Sequence, residues 1–189
     1  MLHLQIIIGS TRPTRVGPVI AAWFVTQAQR HAKFDVELVD LAQVDLPMFD
    51  EPRHPRLRQY EHEHTKAWSR IVERADAYVF VQPEYDHGPP PSIVNALDYL
   101  VHEWAYKPVG FVSYGGVSAG VRSVSMTKEI VTALKMMPMF ETVALPFFAQ
   151  HLDRDKGTFT PPAVQDEAAK VMLDELHKWA TALKPMRAS

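Results

Sequence analysis

The run Ile6-Ile7-Ile8 ends at Gly9 and is followed by Ser10-Thr11-Arg12-Pro13-Thr14-Arg15-Val16-Gly17, so a strand-like apolar segment gives way to hydroxyls and two arginines. Val16, Val19, Ile20 and Trp23 then recur at helical spacing. A loop between the carboxyl end of a strand and the start of a helix presents unsatisfied backbone N–H groups and the positive end of the helix dipole, and both favour an anion. Ser10, Thr11, Arg12 and Arg15 can add side-chain donors, so the loop reads as a phosphate cradle. A Walker loop would need a lysine followed by Ser or Thr after its last glycine, and none is present here. A dinucleotide fingerprint would need three glycines as G-x-G-x-x-G, whereas only Gly9 and Gly17 occur. A mononucleotide phosphate held by hydroxyls and arginine fits the spacing better.

Two more loops carry chemistry. Gln82-Pro83-Glu84-Tyr85-Asp86-His87-Gly88-Pro89-Pro90-Pro91-Ser92 combines stiff proline backbone with an aromatic ring and two carboxylates. A rigid loop of that kind suits a flat ring that must be fixed at low entropic cost. Ser113-Tyr114-Gly115-Gly116-Val117-Ser118-Ala119-Gly120 precedes another helical pattern. Its glycines permit close backbone approach, and successive amides near Gly115 and Gly116 can form an anion-stabilising nest. Other clusters read more plainly. In Glu61-His62-Glu63-His64 the two histidines stand two apart and do not share a helix face, so a solvated helix start is expected rather than a metal site. Arg53, His54, Arg56 and Arg58 form a basic loop, read as solvated or else as a contact for the 2′-phosphate of a nicotinamide nucleotide. Trp104 and Tyr106 are candidates to border the ring ligand or a subunit contact, and Met126, Met136, Met137 and Met139 read as core or interface filler.

The strands that must hold these loops are read at Leu4–Gly9, Asp35–Asp40, Ala77–Gln82, Pro108–Ser113 and Glu141–Pro146. Helical patterns cover about 16–31, 60–74, 91–102 and 120–137. A last helix covers 162–183, with Val164, Ala168, Val171, Met172, Trp179 and Leu183 as its apolar stripe. Near-continuous apolar strands such as Ala77-Tyr78-Val79-Phe80-Val81 suit a parallel sheet covered on both faces. Alternating β/α units predict a doubly wound α/β fold, a flavodoxin-like three-layer sandwich of five parallel strands in order 2-1-3-4-5, as one domain over 1–189. In that order the loops after the first, third and fourth strands meet at the switch point, where ligands bind.

Composition narrows the classes. With 189 residues the chain is long enough for a sizeable core, and a net charge of −2 gives no support to a nucleic-acid or membrane partner. Cysteine is absent, which excludes disulfides, thiolate catalysis and cysteine-ligated metals and is compatible with a reducing cytoplasm, the expected location. No apolar stretch approaches the ~20 residues of a membrane helix, and the N-terminus lacks the basic start of a secretion signal.

The strings G-S-T-R-P-x-R-x-G at 9–17, P-E-Y-D at 83–86 with N-A-L-D at 95–98, and S-Y-G-G-x-S-x-G at 113–120 occur in one order and spacing. Together they resemble the NADPH-dependent FMN reductase family, a flavodoxin-like group that includes quinone, azo-dye and chromate reductases. The resemblance covers roughly residues 2–147. It implies that Ser10, Thr11, Arg12, Arg15, Val16 and Gly17 hold the FMN phosphate. It also implies that Pro83, Glu84, Tyr85 and Asp86 line the isoalloxazine ring, and that Ser113, Tyr114, Gly115 and Gly116 border its ring or ribityl edge. Asp86 stands where the family usually has asparagine, and Ala119 where it often has glycine. An ionised Asp86 beside the ring would disfavour reduced, anionic flavin and lower its potential.

The implied activity is transfer of two electrons from NADPH or NADH, through flavin N5, to a quinone, azo, nitro, metal-oxyanion or flavin acceptor. With one nucleotide-binding fold, donor and acceptor share a face in turn, so ping-pong kinetics are expected with no catalytic side chain and no metal. Relatives of this kind usually form dimers or tetramers, which implies a homo-oligomer joined through the helices that follow the second and third loops. The rivals are a flavodoxin-type electron carrier, usually far more acidic than this chain, a flavin-bound regulatory protein, and a hydrolase using Glu84 and Asp86.

Overall fold

The structure is a computed structural model and describes residues 1–187. Four long strands, β1 (Leu2–Ile8), β2 (Phe34–Asp40), β3 (Ala77–Pro83) and β4 (Pro108–Tyr114), pair in parallel in the order β2-β1-β3-β4. Every residue of β3 and β4 is buried, as strands covered on both faces require. The fifth position is shared by two short strands, β5 (Met137–Pro138) and β6 (Val143–Leu145), both parallel to β4. The order is therefore the flavodoxin-like one, but the single fifth strand expected at 141–146 is broken. Pro138 has no N–H for the ladder, and the chain leaves the sheet with Phe140 exposed before β6 rejoins it.

The helices cover both faces. On one, α1 (Gly17–His31) and α6 (Ala163–Leu183) bury Ile20, Phe24, Met172 and Leu176 against Ile6, Val79 and Val112. On the other, α3 (Glu63–Glu73), α4 (Pro91–Asp98) and α5 (Val121–Ala133) bury Trp68, Ile93, Leu97 and Val124 against Ile7, Phe80 and Phe111. A four-residue helix, α2 (Leu41–Val44), follows β2 and is capped by the Asp40 carboxylate, which accepts from the Ala42 N–H at 3.1 Å. A short hairpin, β7 (Leu152–Asp153) with β8 (Thr158–Phe159), precedes α6. Neither α2 nor the hairpin was expected.

Three helices are shorter than their sequence patterns. α3 starts at Glu63 because the Glu51 carboxylate accepts from the amides of Glu61 and His62, at 2.9 and 3.1 Å, and fixes a turn before it. α4 stops at Asp98 and α5 at Ala133, where Lys135 takes a left-handed φ of 59°. The buried stripe of α6 is Ala169, Met172, Leu173, Leu176 and Ala180. Of the stripe read from the sequence, Met172 alone lies in that set, and Val164, Val171 and Trp179 are exposed. No helix among the described residues is long and apolar enough to cross a membrane.

Candidate functional site

The strand order brings the ends of β1, β3 and β4 side by side, Ile8 against Val81 and Gln82 against Ser113. Gly9 continues that alignment, donating its N–H to the Val81 carbonyl at 2.9 Å. A Cβ on Gly9 would sit 2.3 Å from Cδ1 of Ile93, so any side chain here would force Ile93 of α4 to move aside.

Beyond these strand ends lies a cleft of ≈ 320 Å³ lined by Ser10, Arg12, Thr14, Arg15, Val16, Pro83, Glu84, Tyr85, Tyr114, Gly115, Phe148 and Arg154. Nine of these were read from the sequence, and the three loops converge as expected. Thr14, Phe148 and Arg154 were not foreseen. Phe148 packs edge-on to Tyr114 with ring centroids 5.3 Å apart. Arg154 belongs to the β7–β8 hairpin, whose Phe159 packs edge-on to Trp23 of α1 at 5.8 Å.

The two arginines of the first loop have different roles. Arg15 forms a two-pronged ion pair with Asp40 at the end of β2 and donates to the Ser10 carbonyl at 2.9 Å. The hydrogen bond to Asp40 also raises the Arg15 pKa, and the guanidinium is engaged in bracing the loop rather than standing free. Arg12 is exposed and its guanidinium has no hydrogen bond or ion pair among the described residues, while its carbonyl accepts from the Arg15 amide at 3.1 Å. The backbone amides of Thr11, Arg12, Thr14 and Val16 also donate to no group there, and α1 begins without a side-chain cap. Ser10 is buried, its hydroxyl 2.6 Å from that of Tyr85, which ties the first loop to the second.

Glu84 joins the second loop to the third. Its carboxylate accepts from Arg122 Nε at 2.8 Å, from the Arg122 amide at 3.2 Å and from the Ser118 hydroxyl at 3.2 Å. Burial pushes its pKa up, but the Arg122 bonds and Ser118 outweigh it and hold the group below the usual carboxylate range. Glu84 is thus an ionised latch at the start of α5, not a proton donor. Behind it, the buried Gln82 side chain donates to Ser123 Oγ at 2.7 Å and Thr127 Oγ1 at 3.0 Å.

Asp86 does not line the cleft. Tyr85 and Gly88 exchange backbone hydrogen bonds of 2.9 and 2.8 Å, and Asp86 and His87 occupy the turn between them with φ of 48° and 69°. Asparagine and aspartate both tolerate that left-handed conformation, which accounts for an aspartate here, and the exposed side chain forms no acid pair with Glu84.

Tyr114 is 4% exposed and its hydroxyl has no partner of normal hydrogen-bond geometry. Burial, then Tyr85, pushes its pKa well up, against the opposing pull of Arg15, the nearby Ser10 hydroxyl and Arg12. Gly17 lies beneath that hydroxyl, since a Cβ there would be 3.2 Å from it. Ser113 is buried with an unpartnered hydroxyl. The Gly115 amide is spent on the Leu145 carbonyl at 3.4 Å, and the Gly116 carbonyl accepts from Ala119 and Phe147, each at 3.1 Å.

The remaining candidates fall elsewhere. Thr11 opens onto a separate cavity of ≈ 440 Å³ with Leu41, Asp45 and Ser92. Asn95 of the N-A-L-D string clamps the chain after α2, accepting from the Phe49 amide at 2.8 Å and donating to the Pro47 carbonyl at 2.7 Å. Arg53, His54 and Arg56 line a third cavity on the α4–α5 side. Arg58 is paired with Glu73. Trp104 is core, packed on Tyr78 at 5.0 Å and Trp68 at 5.9 Å, and borders no ligand cleft. Contrary to the i, i+2 expectation, the His62 and His64 rings stack at 5.1 Å, because His62 precedes the first turn of α3.

The sequence model of the family described as NADPH-dependent FMN reductase matches residues 2–150. An NAD(P)H-dependent FMN reductase of Schizosaccharomyces pombe is 43% identical over 147 residues, spanning 76% of this chain and 73% of its own. Another, from Nectria sp, is 32% identical over 191 residues, spanning 97% and 90%. Among solved structures, a flavoenzyme NAD(P)H:(acceptor) oxidoreductase from Paracoccus denitrificans shares the fold, with a TM-score of 0.72 at 19% identity over 96% of this chain and 98% of that one.

Proposed function

This chain belongs to the NADPH-dependent FMN reductase family, and from that membership we propose that the cleft beyond β1, β3 and β4 takes the FMN. The observation that carries the placement is the set of unspent donors on residues that line it: the Arg12 guanidinium, the amides of Arg12, Thr14 and Val16, and the Tyr114 hydroxyl. They fit a phosphate. Pro83, Tyr85, Tyr114 and Gly115 leave flat and backbone surface for a ring.

Bound FMN supplies the two-electron chemistry between NAD(P)H and an acceptor. The protein's part is to bind and orient. Arg12 and the loop amides hold the phosphate. Arg15, locked to Asp40, keeps the loop from collapsing into the cleft. The Ser10–Tyr85 bond sets the distance between the phosphate loop and the ring wall, and Glu84 fixes that wall to α5. Glu84, ionised and latched to Arg122, is not poised as a proton donor. With one face open to both partners, donor and acceptor bind in turn, and the expected kinetics are ping-pong with quinone, azo, nitro, metal-oxyanion or free-flavin acceptors. We further infer a homo-oligomer that uses the α5 side of the cleft.

The test is FMN binding by Arg12→Ala combined with Ser10→Ala, followed by quenching of flavin fluorescence. Loss of a charge-assisted phosphate contact should weaken binding by roughly tenfold to a hundredfold. Unchanged affinity would refute the placement of the phosphate.

A further inference from the structure

Two guanidinium groups line the cleft with no anionic partner among the described residues, Arg12 and Arg154. The other charged groups lining it are compensated, Arg15 by Asp40 and Glu84 by Arg122. The lining therefore carries two uncompensated positive charges, beside the buried and unpartnered Tyr114 hydroxyl. A phosphate monoester carries about −1.5 to −2 near neutral pH and offers three acceptor oxygens, so it matches both the charge and the donors.

Arg154 lies beyond residue 150, where the match to the family model ends, and its hairpin is built to hold it. Leu152 pairs with Phe159, and Phe159 is buried against Trp23 of α1. The Asp153 carboxylate closes the turn, accepting from the amides of Asp155 and Lys156 at 3.2 and 3.0 Å and pairing with Lys156 Nζ at 3.2 Å. Asp153 is thus engaged by the turn, and Arg154 is left to the cleft, which Arg12 and Val16 of the first loop also line.

We infer that Arg154 is the second arm of a clamp on a phosphate monoester, with Arg12 as the first. The inference rests on the flavin-binding reading above. The same chemistry has two sources, the 5′-phosphate of FMN and the 2′-phosphate of NADPH, and paired ligands separate them.

The experiment uses the full chain as wild type, Arg154→Ala and Arg154→Lys. Arg154 is exposed, so melting temperatures should agree and report intact folding. FMN and riboflavin are titrated by flavin fluorescence, and KM is measured for NADPH and NADH. Arg154→Ala should weaken FMN by roughly tenfold to a hundredfold, leave riboflavin unchanged and flatten the salt dependence of FMN binding, with Arg154→Lys intermediate. A rise in KM for NADPH but not NADH, with FMN affinity intact, assigns the clamp to the 2′-phosphate. Loss of neither preference, or equal loss within both pairs, overturns the inference. A wild type that binds riboflavin as tightly as FMN would instead refute the flavin-phosphate reading, leaving the nucleotide arm to decide on Arg154.

Discussion

Ala119 holds a φ of 53° in the turn that leads into α5, and Gly120 follows at 81°. A side chain in the left-handed region costs roughly 1–2 kcal/mol, a cost glycine avoids at the expense of a looser unfolded chain. Ala119→Gly should therefore raise stability by about 1 kcal/mol or less, read as a higher denaturant midpoint at an unchanged slope. A lower midpoint would mean that the Ala119 methyl, 6% exposed, contributes more by packing than its backbone loses. At this scale the sequence was partly legible. Glycines and prolines punctuate the three loops, so their existence could be read. The division of work between Arg12 and Arg15 could not, because it depends on Asp40, which reaches the first loop only once β2 is known to lie beside β1.

Among elements, the β1–β2 edge is held by a cluster centred on Glu37. Its carboxylate accepts from His3 Nε2 and Gln5 Nε2, each at 2.8 Å, and pairs with Arg74 after α3. Burial raises its pKa, but the Arg74 bond, then His3 and Gln5, pull it down to about 2. The folded state thus holds this proton more weakly than the unfolded chain. The stability it contributes is complete above about pH 4.5 and lost as pH falls toward 2. Thermal melts of Glu37→Gln should show a shallower acid decline than wild type across that window, and an identical slope would count against this edge as an acid-labile element. The strands and the long helices were legible because apolar runs and helical spacing persist over several turns. The break between β5 and β6 was not, since it follows from a single proline, and the β7–β8 hairpin has too few residues to show alternation. The α6 stripe was misread because Val171 and Trp179 are apolar yet face outward.

For the whole molecule, the α5 side of the cleft exposes Val117 at 80%, Val121 at 45% and Met126 at 51%. Met126 lies beside the turn at Gly88, so this apolar surface runs from the third loop toward the second. Charged substitutions there, Val121→Glu with Met126→Glu, should reduce the mass measured by light scattering to that of the 21.4 kDa chain without lowering the melting temperature of the isolated fold. An unchanged assembly would move the proposed interface elsewhere.

Glu84 and Arg122 stand 38 residues apart, yet one ion pair ties the second loop to the start of α5. That has a consequence for recombining this chain with its relatives. A chimera whose junction falls between positions 84 and 122 inherits one half of the latch from each parent, and its second and third loops need not agree. A junction before 82 or after 127 carries the latch and the Gln82 contacts intact, so acceptor preference should travel between homologues as that one block.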